Sequence, residues 1–531
     1  MLWDTPEKLR KLLCELVSWN SITLTEGERL FAPKLIDKLR ELEYFQKYPS
    51  RLQMHDAGLG RSVVTGLYKH PAAVDTIVLI SHFDTVQTEE YGALEPLAYY
   101  PEELTNYWME HPQELPVSAR ADLNTGKYLF GRGTMDMKMG LALHMQLVEK
   151  ASMEQWPINL LLVAVPDEEV NSAGMRAAVP HLVNIREEYG LHYKLFLNSE
   201  PSFAQNPTDI DEYIYSGTIG KIMPAALFYG KETHVGEPMK GITANYIASY
   251  LTQHMEFNPL FSETDLGEST PVPVSLQQKD LKMSYSTQTP YRAVALYNVF
   301  LFKRSASEIM DLFERVANDA MSALNESYKV ICDREKVLGV GPVKVMRYEQ
   351  LLEYASNKLG AEKVEALKKE VLSQEEWDDR EKSLRIVDNL MIACQELAPA
   401  TVLLFAPPYY PAVNTSNDPL IMEAVETLKK SAASFNNTVK QVHYFNGICD
   451  FSYVNYQDEG NGWTAFESNT PVWGETYTIP FKEMAQLKGP ILNVGPFGKD
   501  PHQKTERLHV DSAFVEMPVM LETLIKSLME K

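Results

Sequence analysis

Thr76-Ile77-Val78-Leu79-Ile80 runs directly into Ser81-His82-Phe83-Asp84. A short, continuous apolar run bounded by polar residues reads as a strand buried on both faces, the pattern of a parallel sheet covered by helices. Two further segments repeat it. Leu160-Leu161-Leu162-Val163-Ala164-Val165 leads into Pro166-Asp167-Glu168-Glu169, and Leu195-Phe196-Leu197 leads into Asn198-Ser199-Glu200. In open sheets of this kind ligands collect at the carboxyl ends of the strands. Three strand ends therefore deliver histidine and carboxylate side chains to one rim, the convergence that a metal site requires.

Working outward, Thr5-Pro6 reads as an N-cap and first-turn pair ahead of Leu9, Leu12, Leu13 and Leu16 at helical spacing. Alternating βα units continue to about Glu200. Beyond Gly217 the texture changes, with strands expected over 219–228 and 295–302 and helices over 243–254 and 306–324. This β-α-β-α module reads as a ferredoxin-like α+β lid inserted into the larger domain. The stretch 348–397, dense in Glu, Lys and Leu, adds two or three helices to it. Thr401-Val402-Leu403-Leu404-Phe405 and a helix opening at Asp418-Pro419 return to the doubly wound pattern. The expected fold class is α/β, a doubly wound, mostly parallel sheet split as 1–216 and 400–531 around a lid at 217–399.

Fifty Lys and Arg against 72 Asp and Glu give a net charge of −22, which argues against nucleic acid and anionic membranes as partners. The start, Met1-Leu2-Trp3-Asp4-Thr5-Pro6-Glu7, has no basic segment followed by an apolar core, and no run approaches the ~20 apolar residues that cross a bilayer, so a cytoplasmic chain is expected. Cys14, Cys332, Cys394 and Cys449 are widely spaced with no C-x-x-C, which argues against a disulfide framework or a thiolate zinc site.

The chemistry lies in the polar clusters. His82 and Asp84 are two apart and share a face of an extended strand end, so the imidazole can ligate a metal while the carboxylate fixes its tautomer. A surface histidine capped by a neighbouring aspartate is the plainer alternative. Asp136 follows the glycine-flanked turn Gly131-Arg132-Gly133-Thr134-Met135 and precedes an amphipathic helix, where it serves either as a helix cap or as a bridge between metals. Glu168 and Glu169 are adjacent and diverge. One can ligate while the other moves a proton, unless both are simply solvated. Gly495-Pro496-Phe497-Gly498-Lys499-Asp500-Pro501-His502, with Glu506 beyond, can supply a histidine from the far end of the sequence.

The order H-x-D, G-R-G-x-x-D-x-K, D-E-E, E-P and G-P-x-G-x-x-x-H-x-x-x-E resembles the co-catalytic zinc aminoacylase and carboxypeptidase family, which includes acetylornithine deacetylase and succinyl-diaminopimelate desuccinylase. The resemblance implies His82, Asp136, Glu169, Glu200 and His502 as metal ligands with Asp136 bridging, Asp84 orienting His82, and Glu168 as general base and acid. It further implies two zinc ions about 3.5–4 Å apart, in a donor set that also accepts manganese or cobalt. Gly230-Lys231-Glu232-Thr233-His234-Val235-Gly236 resembles the family's lid-histidine segment, which makes His234 the expected oxyanion stabiliser.

Where many relatives carry a carboxylate-gripping arginine, this chain reads Asn298-Val299-Phe300, leaving Arg292 or Lys303 nearby. Gly447-Ile448-Cys449-Asp450 stands in place of a Gly-Thr-Asp turn. Asn245, Arg292 and Asp450 are the candidate substrate contacts. The segment between Val86 and Leu129, with Tyr91, Tyr99, Tyr100, Tyr107 and Trp108, reads as a long loop that is expected to narrow the cleft or choose the substrate. Length, the helical extension and the residues around His502 are most similar to the RocB group tied to arginine utilisation in Gram-positive bacteria.

The expected function is hydrolysis of an amide bond in a small N-acyl amino acid or short peptide, linked to arginine or ornithine catabolism. The rivals are a non-catalytic, metal-stabilised binding or regulatory protein of the same pathway, and a hydrolase of an ester or non-peptide C–N bond on the same fold. A homodimer through the lid is expected, with a monomer as the alternative if the extra helices cover the lid's edge.

Overall fold

The apolar run at 76–80 forms the strand Asp75–His82, and the other two runs, Asn159–Val165 and His192–Asn198, flank it in parallel on either side. The computed structural model describes residues 1–203, 211–457 and 462–529. Every residue of Asn159–Val165 is buried. Successive side chains of a strand point to opposite faces, so this sheet is covered on both. On one face Ile77, Leu79, Leu160, Leu162, Leu195 and Leu197 join a single apolar cluster with residues of the helices Pro6–Ser18, Met139–Glu154, Pro419–Ala433 and Met517–Met529. The alternate residues Val78, Ile80, Leu161, Val163 and Phe196 are equally buried. Each such side chain contributes about 1.5–3 kcal/mol on leaving water.

The chain divides into two compact units, Met1–Thr218 with Val413–Tyr456 and Pro480–Lys531, and Ile219–Ala412 with Gln457–Ile479. The first holds an eight-stranded sheet in the order Leu52–Asp56, Ser62–Tyr68, Asn159–Val165, Asp75–His82, His192–Asn198, Ile491–Asn493, Glu212–Tyr215, Val439–Val442. Its central pairings are parallel and antiparallel strands lie outside them, which is the expected α/β class. The predicted N-terminal cap is present, with Thr5 Oγ1 accepting from the Lys8 amide at 3.3 Å ahead of Pro6.

The second unit is α+β. Its longest strand, Arg292–Leu301, pairs antiparallel with Gly220–Ile222 and Pro224–Tyr229, and the helices Ala244–Met255 and Ala306–Glu335 pack on one another. The longer helix opens on a reciprocal capping box between Ser305 and Glu308. Tyr348–Leu359, Ala361–Leu372 and Asp379–Ala393 supply three further helices in the stretch where two or three were expected.

Two expectations are corrected. The strand Ala400–Phe405, assigned from sequence to the doubly wound sheet, pairs antiparallel with Pro224–Tyr229 in the second unit, and the first unit resumes only at Val413. A fully buried apolar strand looks the same in either sheet, so its composition does not tell which one it joins. The stretch 86–129 is not an open loop. It folds into the helices Pro101–Glu110 and Val117–Asn124 and buries Tyr91, Tyr99 and Trp108 in the core, leaving Tyr100 exposed.

Candidate metal centre

Three parallel strands end on one rim of the first unit. His82 closes the strand Asp75–His82, and the Phe83 amide donates to Val165 O at 3.0 Å, tying that end to the neighbouring strand just before Asp167-Glu168-Glu169. Glu200 lies two residues past the end of His192–Asn198. His502 sits in the turn between the short antiparallel strands Phe497–Lys499 and Arg507–His509.

Asp136 arrives from a tight turn. Gly133 has φ +74°, and a Cβ there would stand 2.8 Å from Thr85 Cγ2, so both the backbone conformation and the space require glycine. At the start of the following helix, a Cβ on Gly140 would come within 2.5 Å of Ser199 O. That close approach seats the Asp136 turn against the Glu200 segment.

Asp136 is shared between two groups of donors. Its Oδ1 is 3.2 Å from His82 Nε2, and Glu200 Oε1 is 3.6 Å from the same nitrogen. Its Oδ2 is 3.0 Å from His502 Nε2, which lies 3.1 Å from Glu169 Oε2. Each set, His82 with Asp136 and Glu200, and Asp136 with Glu169 and His502, keeps its ligand atoms within 4.8 Å of one another. Glu169 Oε1 and Glu200 Oε1 are buried without a hydrogen-bond partner. Imidazole and carboxylate with unsatisfied buried oxygens are a donor set that fits divalent cations.

The electrostatics point the same way. Burial, and then the neighbouring acids, push the Glu168 and Glu200 carboxyls well above the usual carboxylate range and raise Glu169 as well. Burial disfavours the charged form of His82, yet Glu200, Asp136 and Asp84 raise its proton affinity well above the ordinary value. His502, whose side chain is 49% exposed, is raised to about 11 by Asp136 and Glu169 against the opposing effect of burial. So many acids beside two histidines leave an excess of negative charge that bound cations would offset.

The family model described as Peptidase family M20/M25/M40 matches residues 78–466, a span that takes in His82, Asp136, Glu168, Glu169 and Glu200. The chain belongs to that family. It is accordingly a peptidase or amidohydrolase. His502 lies beyond the matched span, and it is the fold that carries it to Asp136. Among relatives, the protein YqjN of Bacillus subtilis (strain 168) is 39% identical over 538 residues, covering 100% of this chain and 98% of that one. RocB of the same organism is 29% identical over 535 residues, covering 97% and 94%. The M20 family metallo-carboxypeptidase Sso-CP2 from Sulfolobus solfataricus shares the fold, with a TM-score of 0.55 at 11% identity over 97% of this chain and 98% of that one.

Around the donors, this M20 chain builds supports that sequence reading missed. Asp84 lies 3.5 Å from His82 Nδ1 through its carboxylate, but that carboxylate also accepts from the amides of Glu168 and Glu169 at 3.0 and 3.3 Å and from Thr23 Oγ1 at 2.8 Å. Asp167, at φ +67°, is ion-paired with Arg61 at 2.6 Å. Behind the Asp136 turn, the buried Arg132 meets the buried Glu506 at 2.9 Å. The Met135 amide donates to the other oxygen of Glu506 at 3.3 Å. Arg132 and Glu506 both stand in the recognised motifs, but spacing alone did not show that they pair.

The remaining candidates divide between the units. Asp450 belongs to the first; it is 1% exposed, its Oδ1 lacks a hydrogen-bond partner, and burial raises its carboxyl to about 7. It is near enough to the donors to raise both Glu168 and Glu200. The other three lie in the second unit. His234 is exposed on a bridge to Gln288 and its Nδ1 accepts from the Gly236 amide at 3.0 Å. Asn245 Nδ2 donates to Asp280 at 3.3 Å. Arg292 is paired with Asp388 at 2.7 Å, so its charge is already matched within its own unit, as is that of Lys303 by Asp265 at 2.7 Å.

Proposed function

We propose that this M20 enzyme is a zinc-dependent hydrolase of an amide bond in a small N-acyl amino acid or short peptide, linked to arginine or ornithine catabolism. The observation that carries the reading is the Asp136 carboxylate, with one oxygen 3.2 Å from His82 and the other 3.0 Å from His502. A single carboxylate divided between two donor sets is the arrangement of a two-metal hydrolase. In this reading His82 and Glu200 would hold one ion and Glu169 and His502 the other, with Asp136 shared between them; manganese or cobalt suits the same donors.

Bound ions of this kind supply Lewis acidity to a carbonyl oxygen and to water. The protein's own part falls to Glu168. It belongs to neither donor set, yet its Oε2 is 4.0 Å from His82 Nε2. It takes the proton of the attacking water and returns it to the leaving nitrogen, and its raised proton affinity suits a group that must act first as base and then as acid. Asp84 holds the Glu168 and Glu169 backbone in place. His234 stabilises the oxyanion, and Asn245, Arg292 and Asp450 are the substrate contacts to test.

The arginine link is supported by the likeness to RocB along nearly the whole chain. Among the described residues no helix is long and apolar enough to cross a membrane, in keeping with a cytoplasmic enzyme. The strand Val274–Asp280 borders the second unit's sheet, with no strand on its outer side among the described residues, and is the edge through which two copies would pair. The test is elemental analysis of purified protein together with a hydrolysis screen over N-acetyl, N-succinyl and dipeptide derivatives of arginine, ornithine and glutamate. About two zinc ions per chain with turnover of one class is the expected result. Metal without turnover of any of them would favour a binding protein, and absence of metal would overturn the reading.

A further inference from the structure

The ladder joining the His82 and Glu200 strands stops one residue short of the donors. Its last pairs are Leu79 with Leu197 and Ile80 with Asn198. The next residues, Ser81 and Ser199, immediately precede His82 and Glu200, which belong to one donor set. On its other side Ser81 still pairs with Ala164, and Glu200 O accepts from Asn493 Nδ2 at 3.2 Å. Between the two ends themselves the ladder has run out, and the spacing that it would impose must come from elsewhere.

His144 occupies that gap. It projects from the helix Met139–Glu154 and is fully buried, with Nδ1 2.7 Å from Ser81 Oγ and Nε2 2.9 Å from Ser199 Oγ. A hydroxyl can donate or accept, so both bonds are open to a neutral imidazole that donates from one nitrogen and accepts at the other. Burial lowers its proton affinity to about 3 and keeps it neutral. The same helix begins three residues after Asp136, so one rigid element touches all three segments that contribute to this donor set.

We propose that His144 is a positioning residue for the metal donors, its ring strung between Ser81 and Ser199 to set the separation of His82 and Glu200. The proposal rests on the reading of those two residues as ligands. A core histidine that merely satisfied its hydrogen bonds would affect stability alone. A positioning residue alters metal binding at one set and spares the other.

The test titrates metal-free protein with Co2+, following absorption and heat, in the wild type, in His144→Phe, which fills the volume without hydrogen bonds, and in His144→Gln, which restores the bond at the Nε2 position. Wild type should take up two ions. His144→Phe should bind one of them about 10–100-fold more weakly and the other unchanged, the loss typical of residues that orient ligands. His144→Gln should recover part of the loss. A Ser81→Ala, Ser199→Ala double variant should reproduce the defect, and adding His144→Phe to it should cost nothing more. Wild-type affinity for both ions in folded His144→Phe overturns the proposal, and if that variant does not fold, wild-type affinity in the double serine variant overturns it equally. Failure of the wild type to bind Co2+ would instead remove the metal reading on which the proposal stands.

Discussion

The amide of Glu168 donates to Oδ1 of Asp84 at 3.0 Å, so the residue two places after His82 holds the backbone of the loop that carries the acid pair. Asp84 Oδ2 takes the Glu169 amide and the Thr23 hydroxyl as well. An amide side chain has one acceptor oxygen where the carboxylate has two, so Asp84→Asn leaves at least one of these donors facing an NH2 group. The expected outcome is a ~10–100-fold loss in turnover or metal affinity, the usual effect of removing a group that orients ligands. Parallel assays of kcat and metal content measure it, and wild-type values in both would show that the brace is dispensable.

Glu168 and Glu169 are adjacent in sequence but differ in surroundings. Glu169 Oε2 contacts His502 at 3.1 Å, while Glu168 stands outside both donor sets. Glu168→Gln should therefore retain metal and fold and lose ~10²–10⁴ in kcat, the range for a missing general base. Elemental analysis separates the alternatives. If metal is lost together with activity, Glu168 is a ligand and the base must be sought elsewhere.

The rim was legible because three continuous apolar runs announced strands buried on both faces, each ending on a histidine or an acid. The same signal misled at Ala400–Phe405, whose runs of Val, Leu and Phe suit either sheet. The strand Val274–Asp280 was invisible for the opposite reason: none of its residues is fully buried and it carries Ser, Gln, Lys and Asp. Arg132 and Glu506 are 374 residues apart, a pairing that only the folded chain reveals. His144 could have been suspected as the one histidine among Leu141, Leu143, Met145 and Leu147, although nothing local named Ser81 or Ser199 as its partners.

His234 tests the part of the reading that rests most on family resemblance. It is exposed on the second unit, where its Nδ1 accepts from the Gly236 amide. If it stabilises the oxyanion, His234→Ala should lower kcat by ~10²–10³, as removal of an oxyanion donor does, with metal content unchanged. An exposed residue contributes little to stability, so the melting temperature should also hold. An unchanged kcat would remove His234 from the catalytic machinery.

Arg132 and Glu506 offer a test with a pH signature. Both are 1% exposed, and the Glu506 carboxyl stands at about 7, raised by burial and held from rising further chiefly by Arg132. Arg132→Met strands a buried acid, a change that typically costs ~3–5 kcal/mol. Removing the guanidinium raises the folded-state proton affinity of Glu506 further above its unfolded value near 4.5. Between those two values the folded state binds the extra proton, so stability falls as pH rises through that window. Denaturant unfolding should thus find Arg132→Met closest to wild type near pH 4.5 and progressively weaker towards pH 8, while Arg132→Met combined with Glu506→Gln should lose most of that slope. A deficit equal at every pH would mean that the cost of Arg132→Met is lost packing against Tyr91, whose ring lies 5.6 Å from the guanidinium, rather than the stranded charge.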